Sequence, residues 1–215
     1  MPRPLAGSSV LLLALAAAPL GCAESIGFDD TPADEEAEEA EGDGDGDATG
    51  DGDGDEDERV EHDELGGGVV RTTVDASDEQ AWVYLDLDSK AALAEGVVGW
   101  DLGFRRFEII LNGGINGDEG VELAFIDGVD FETLTELPDD LTWITDAADG
   151  DDENMDPDLA FFDWYDYDIA THVLTPKDRV YLVRSSDGAL FKLQIANYYS
   201  EAGSSGFMQF YWAAI

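Results

Sequence analysis

One cysteine, two histidines and three methionines are the only soft or imidazole donors in 215 residues. Cys22 stands alone, which excludes an intrachain disulfide framework and a thiolate metal cluster. His62 lies in a strongly acidic stretch and reads as solvated. His172, in Ala170-Thr171-His172-Val173-Leu174, falls between two extended segments. A turn histidine bonded to its neighbours and a histidine offering a ring nitrogen to a metal are both open there. Met155 sits in a Gly- and Asp-rich loop (149–157), as gap-filler or as a mobile thioether donor. Met208 alternates with Phe210 and Trp212 and reads as core. The stretch Phe161-Phe162-Asp163-Trp164-Tyr165-Asp166-Tyr167 suits a pocket for a flat ligand, carbohydrate stacking or plain sheet packing. Catalysis has little support: there is no Gly-rich phosphate loop, no His-Glu-x-x-His and no nucleophile elbow. A carboxylate pair such as Asp163 and Asp166 carries no weight among 51 acidic residues. The chain reads as a binding protein, not an enzyme.

The formal net charge is −41. Residues 29–64 hold 20 acidic residues against one basic, Arg59, and residues 65–215 hold 30 against eight. Nucleic acid and bare anionic membrane gain nothing from such a surface. Residues 1–21 read as a lipoprotein signal peptide, with Arg3 ahead of an apolar run from Val10 to Ala18. That run is far short of the roughly 20 residues needed to span a bilayer. It ends in Pro19-Leu20-Gly21-Cys22, which resembles a lipobox, with Pro and Leu where Leu and a small residue are usual. Lipidation of Cys22 would anchor the chain in a membrane, and Ala23 after it leans towards the outer membrane or cell surface. Residues 22–68 then form the lipidated cysteine and a disordered acidic linker rich in Gly and Asp, with too little apolar surface to offset chain entropy. The Asp-Gly runs at 43–47 and 51–55 lack an EF-hand loop with its closing Glu, so Ca2+ is not expected.

Any candidate site must be held by the region that folds, residues 69–215. Its strongest element is a hairpin over 179–199. Val180 to Val183 suits a strand buried on both faces. Ser185-Ser186-Asp187-Gly188 makes the turn, and Phe191, Leu193 and Ile195 alternate with Lys192, Gln194 and Ala196 on the return. Phe207 to Trp212 reads as a further strand. Other extended candidates are 80–87, 100–104, 107–111, 121–125, 142–144 and 161–167, with a turn at Asn112-Gly113-Gly114 and two turns of helix over 131–137. Short strands punctuated by Gly, Pro and Asp indicate an all-β fold: a single, mostly antiparallel β domain with few short helices.

Over roughly residues 80–215 the chain resembles the HmuY-type haem-binding lipoproteins. The resemblance rests on Trp100-Asp101-Leu102-Gly103-Phe104-Arg105-Arg106, Leu111-Asn112-Gly113-Gly114 and Asp178-Arg179-Val180-Tyr181-Leu182-Val183-Arg184 with Asp187-Gly188. It continues through Lys192-Leu193-Gln194-Ile195 and Tyr198-Tyr199 to the last aromatic strand. It implies an all-β surface lipoprotein that takes haem from a haem-donor protein and passes it to an outer-membrane receptor. In the family, two His or Met side chains clamp the iron. The residues expected to do so here are His172, the only histidine of the domain, and Met155. Phe161, Phe162, Trp164 and Tyr165 would line the pocket. Haem propionates would need Arg105, Arg106, Arg179 or Arg184 close by. The alternative on the same scaffold is a non-haem binding or adhesion module for a glycan, a cationic ligand or a protein.

Overall fold

The computed structural model describes residues 56–150 and 157–215. After a 3-10 turn at Glu56–Arg59 come β1 (Val60–Gly66), β2 (Val69–Asp75), β3 (Val83–Asp86), β4 (Ala91–Leu93), β5 (Leu102–Arg105) and β6 (Glu108–Leu111). They are followed by β7 (Glu122–Asp127), β8 (Tyr165–Asp168), β9 (Val173–Pro176), β10 (Arg179–Arg184), β11 (Leu190–Tyr199) and β12 (Ser205–Ala214). Six strands form one sheet in the order β1-β2-β12-β11-β10-β7, four form a second in the order β4-β3-β5-β6, and β8 pairs only with β9. Every pairing is antiparallel, as expected for this all-β fold.

The hairpin β10–β11 sets the register of the large sheet. Gly188 adopts φ +81° in its turn, a conformation that costs glycine nothing. Tyr181 then stands opposite Leu193 and Val183 opposite Phe191, while Leu193 faces Trp212 and Ile195 faces Phe210 across β12. These inward side chains meet Leu85, Leu102, Phe104 and Leu111 of the smaller sheet in one core. The rings of Phe104 and Phe210 stack between the sheets at 5.6 Å.

The outer face of the large sheet differs from expectation. Residues 131–137 form no helix, only turns. The Asp130 carboxylate accepts the Glu132 N–H at 2.8 Å, and the amides of Thr133 and Leu134 reach back to the Asp130 carbonyl. The carbonyls of Phe131 and Leu134 accept instead from Lys192 Nζ, at 2.7 and 2.8 Å. Lys192, expected on a polar face, is therefore buried, with its ammonium 4.5 Å from the Phe131 ring centroid. Phe131 packs with Val180 and Ala213, which is why β10 is buried on both sides.

The expected linker also ends sooner. Residues 60–66, assigned to it by composition, form β1, paired with β2 from Val60↔Val74 to Gly66↔Val69. Only Val60 of β1 is buried, so backbone pairing rather than an apolar pattern carries the strand. His62 is accordingly half-buried, not solvated. Trp212 Nε1 donates to Thr72 Oγ1 at 2.7 Å, and the same hydroxyl is hydrogen-bonded to His62 Nδ1 at 2.8 Å. Burial lowers the His62 pKa, which favours the neutral ring. The proposed signal peptide, Cys22, the Asp-Gly runs and Met155 lie outside the described residues.

Candidate functional site

The residues at the heart of the resemblance build scaffold. Asp101 is fully buried, accepting Leu87 N–H at 2.8 Å and Ser186 N–H at 2.7 Å, and so joins the small sheet to the β10–β11 turn. Burial pushes its pKa up to about 6, against the pull of those amides. Asn112 donates to the Trp100 carbonyl at 2.8 Å. A Cβ on Gly113 would fall 2.2 Å from the Val121 carbonyl oxygen, so only glycine fits there. Asp146, also buried, accepts Leu111 N–H and Ala160 N–H at 2.7 Å each and the Asn116 amide at 2.9 Å. It thereby ties β6 to the segment that follows Pro157. Burial raises its pKa as well.

That segment walls a cleft of about 400 Å³. Phe161, Phe162, Trp164 and Tyr165, the four aromatics singled out from the sequence, all line it, together with Trp82 just before β3, Phe107 in the β5–β6 turn, and Ile109 and Ile110 of β6. The extended reading of 161–167 holds only from Tyr165; residues 160–163 are turns. The turn directs alternate side chains differently from a strand. Phe161 and Trp164 go into the core, while Phe162 is 70% exposed at the rim. Trp164 Nε1 donates to the Phe107 carbonyl at 2.9 Å, and the Phe107 ring meets Tyr165 edge-on at 6.1 Å. Burial raises the Tyr165 phenol pKa, so it is neutral at physiological pH. Trp82, Phe107 and Asn116 escaped the sequence reading, since they come from three separate segments. The polar lining is Arg105, Glu108, Asn116 and Asp158. Arg105 is bonded to Glu108 at 2.7 and 3.0 Å and stacked 4.4 Å over Trp82.

His172 does not line the cleft. It is exposed, in the turn of the β8–β9 hairpin, with φ +58°. Its Nδ1 is hydrogen-bonded to the Tyr167 hydroxyl, and Nε2 has no hydrogen-bond partner among the described residues. Tyr165 and Tyr167 lie on one face of β8, roughly 7 Å apart along the strand. The imidazole is thus carried by the same hairpin as Tyr165, bonded to a tyrosine two residues further along the strand.

The cations among the described residues are all engaged. Of ten lysines and arginines, Arg3 lies outside the described residues, and each of the other nine has a carboxylate, carbonyl or hydroxyl partner. Arg106 answers no carboxylate; it holds the Ser77 carbonyl and the Ser205 hydroxyl, both at 2.9 Å. Arg179 is buried, paired with Asp127 at 2.6 Å and stacked 3.9 Å over Phe125. Arg184 pairs with Glu122 and lies 4.3 Å over Trp143. None of the four arginines considered for propionates is free. Asp86, Asp88 and Asp101 each bring an oxygen within 4.8 Å of the others. Asp101 and Asp86 already accept backbone amides, so the grouping supports turns.

The arrangement is that of an antiparallel β domain bearing an aromatic cleft and an exposed histidine. The family model described as HmuY protein matches residues 78–212, and the chain belongs to the HmuY family. Among curated proteins none matches. Solved structures share the fold at low identity. A candidate lipoprotein from Bacteroides fragilis is 19% identical, with a TM-score of 0.55 over 71% of this chain and 94% of its own. A candidate HmuY-like haem-binding protein from Bacteroides vulgatus is 16% identical, with a TM-score of 0.54 and the same coverage. The apo HmuY analogue of Tannerella forsythia is 14% identical, with a TM-score of 0.52 over 72% and 96%.

Proposed function

We propose that this protein is a haem-binding surface lipoprotein, anchored through Cys22 and held off the outer membrane by its acidic N-terminal segment. In this reading it captures haem from a donor protein and passes it to a membrane receptor. Haem supplies a flat apolar macrocycle and an iron that takes axial imidazole or thioether ligands. The observation that carries the reading is the His172 imidazole, exposed, anchored at Nδ1 and unpartnered at Nε2, on the same hairpin that gives Tyr165 to the aromatic cleft. Burial of ring faces against Phe107, Phe162 and Tyr165, with ligation by His172, supplies the affinity. Met155, in the segment preceding Pro157, would serve as the second ligand. Membership of the HmuY family and the haem-binding description of one structural neighbour support this assignment.

Propionates find no free cation among the described residues, so binding depends on stacking and iron rather than charge pairing. Screening the acidic surface should then help an anionic ligand. Titration of the apoprotein with haemin should give a saturable Soret shift, tighter at 0.5 M than at 0.02 M NaCl. His172→Ala should weaken it at least tenfold, or about 1.4 kcal/mol. Absence of any Soret shift in the wild type would sink the haem reading and leave a binding module for an uncharged or cationic partner, such as a glycan, which the paired cations and abundant carboxylates equally suit. Binding, not catalysis, is the proposed role.

A further inference from the structure

We infer that Tyr167 is a positioning residue for His172: its hydroxyl oxygen accepts the Nδ1–H and thereby turns the Nε2 lone pair outward. The inference rests on His172 as an iron ligand and adds the group that makes it competent. A neutral imidazole carries one N–H and one lone pair. Only the form with the proton on Nδ1 presents an acceptor at Nε2, and metal-binding histidines generally hold that proton with a second residue.

The hairpin fixes the backbone from which the ring projects. The His172 amide donates to the Asp168 carbonyl at 2.8 Å, and the Asp168 carboxylate accepts Ala170 N–H at 2.8 Å, so the turn backbone is pinned. The following strand is fastened to the large sheet by Leu174 N–H, which donates to Tyr199 Oη at 2.8 Å. With the Cα so placed, the ring direction is decided by its side-chain torsions. The Tyr167 hydroxyl is its hydrogen-bond partner, and the two ring centroids lie 5.9 Å apart. Tyr167 is 52% exposed, so its own O–H can donate to water while its oxygen accepts from Nδ1. A packing role would be met by phenylalanine; the hydroxyl has no other described partner.

The test is Tyr167→Phe, which keeps the ring and removes the oxygen. Long-range 1H–15N spectra of the full chain without haemin report the His172 tautomer, with His62 as the second histidine for comparison. Wild type should show Nδ1 protonated and Nε2 bare, and Tyr167→Phe should move the population towards the Nε2–H form. With haemin, Tyr167→Phe should bind about tenfold more weakly, the usual scale for a lost supporting bond, with a displaced Soret maximum. A wild-type His172 protonated on Nε2 overturns the inference. So does normal wild-type haemin binding that Tyr167→Phe leaves unchanged in affinity and spectrum. A wild type that never shifts the Soret band overturns the haem reading and the ligand role with it, while the tautomer measurement still separates that failure from an error about the hydrogen bond.

Discussion

His172 is exposed and holds a left-handed φ of +58°. For a residue with a Cβ that conformation costs about 1 kcal/mol, a cost glycine escapes. Lys90 and Arg106 share it, at φ 59° and 53°, but each earns its place structurally or by charge: Lys90 pairs with Glu64, and Arg106 staples the β5–β6 turn to Ser77 and Ser205. Among the described residues, the imidazole of His172 reaches only Tyr167. His172→Gly should therefore change unfolding free energy by less than about 1 kcal/mol, relief of strain offsetting the entropy of glycine, while haemin affinity falls as for the alanine variant. Urea unfolding measures the first and the Soret titration the second. A large loss of stability would mean that the ring holds the hairpin together.

At the scale of elements, the cleft depends on how its walls are tied to the sheets. One wall is the edge strand β6 with the turn at Phe107. The other is the irregular segment from Pro157 to Trp164, which has no regular pairing beyond a bridge from Ala147 to Asp158. Asp146 joins the two by accepting amides from Leu111 and Ala160. Arg179 and Lys177 hold the far end through Asp163. Asp146→Ala would leave buried donors without acceptors, each worth about 1–3 kcal/mol. It should cost about 2–5 kcal/mol in chemical denaturation and reduce haemin binding further by loosening the wall. Asp146→Asn should recover part of the stability, because an amide oxygen can still accept one of the bonds. Equal stability of wild type and Asp146→Ala would show that the segment is held elsewhere.

For the whole molecule, charge is the dominant global property, and it acts together with two buried carboxylates. Asp101 titrates near 6 in the folded chain and Asp146 is raised too, both because burial disfavours the ion. The stability that their neutral forms carry is complete below the unfolded value near 3.8. It is lost as pH rises through the folded values. For Asp101 the difference between pH 5 and pH 7.5 is about 1–2 kcal/mol. Asp127, held below the usual range by the Arg179 hydrogen bond, works in the opposite sense, and its contribution disappears as pH falls through its lowered folded value. Repulsion among surface carboxylates also weakens on mild acidification. Thermal unfolding should thus occur a few degrees higher at pH 5 than at pH 7.5, with the midpoint at pH 7.5 raised by salt. A midpoint that falls monotonically from pH 7.5 to pH 5 would contradict the raised carboxylates.

The sequence by itself determined the all-β class, the β10–β11 hairpin and the aromatic stretch of the cleft. Each of these is written in local pattern: alternation in Phe191, Leu193 and Ile195, a glycine that can take positive φ, and four aromatics within five residues. The tertiary structure alone decided what those patterns meet. Lys192 alternates like a solvent-facing residue, yet the turns around Phe131 and Leu134 cover it, and their two carbonyls accept its hydrogen bonds. β1 carries a linker's composition and becomes a strand only because β2 lies beside it to complete its hydrogen bonds. Trp82 and Phe107 join Phe162 and Tyr165 in one cleft only through the pairing of β3, β5 and β6 and the tether at Asp146. Sequence spacing holds no distance between segments so far apart in the chain. The hydrogen bond between Tyr167 and His172, five residues apart, needed the hairpin turn to close before it could exist.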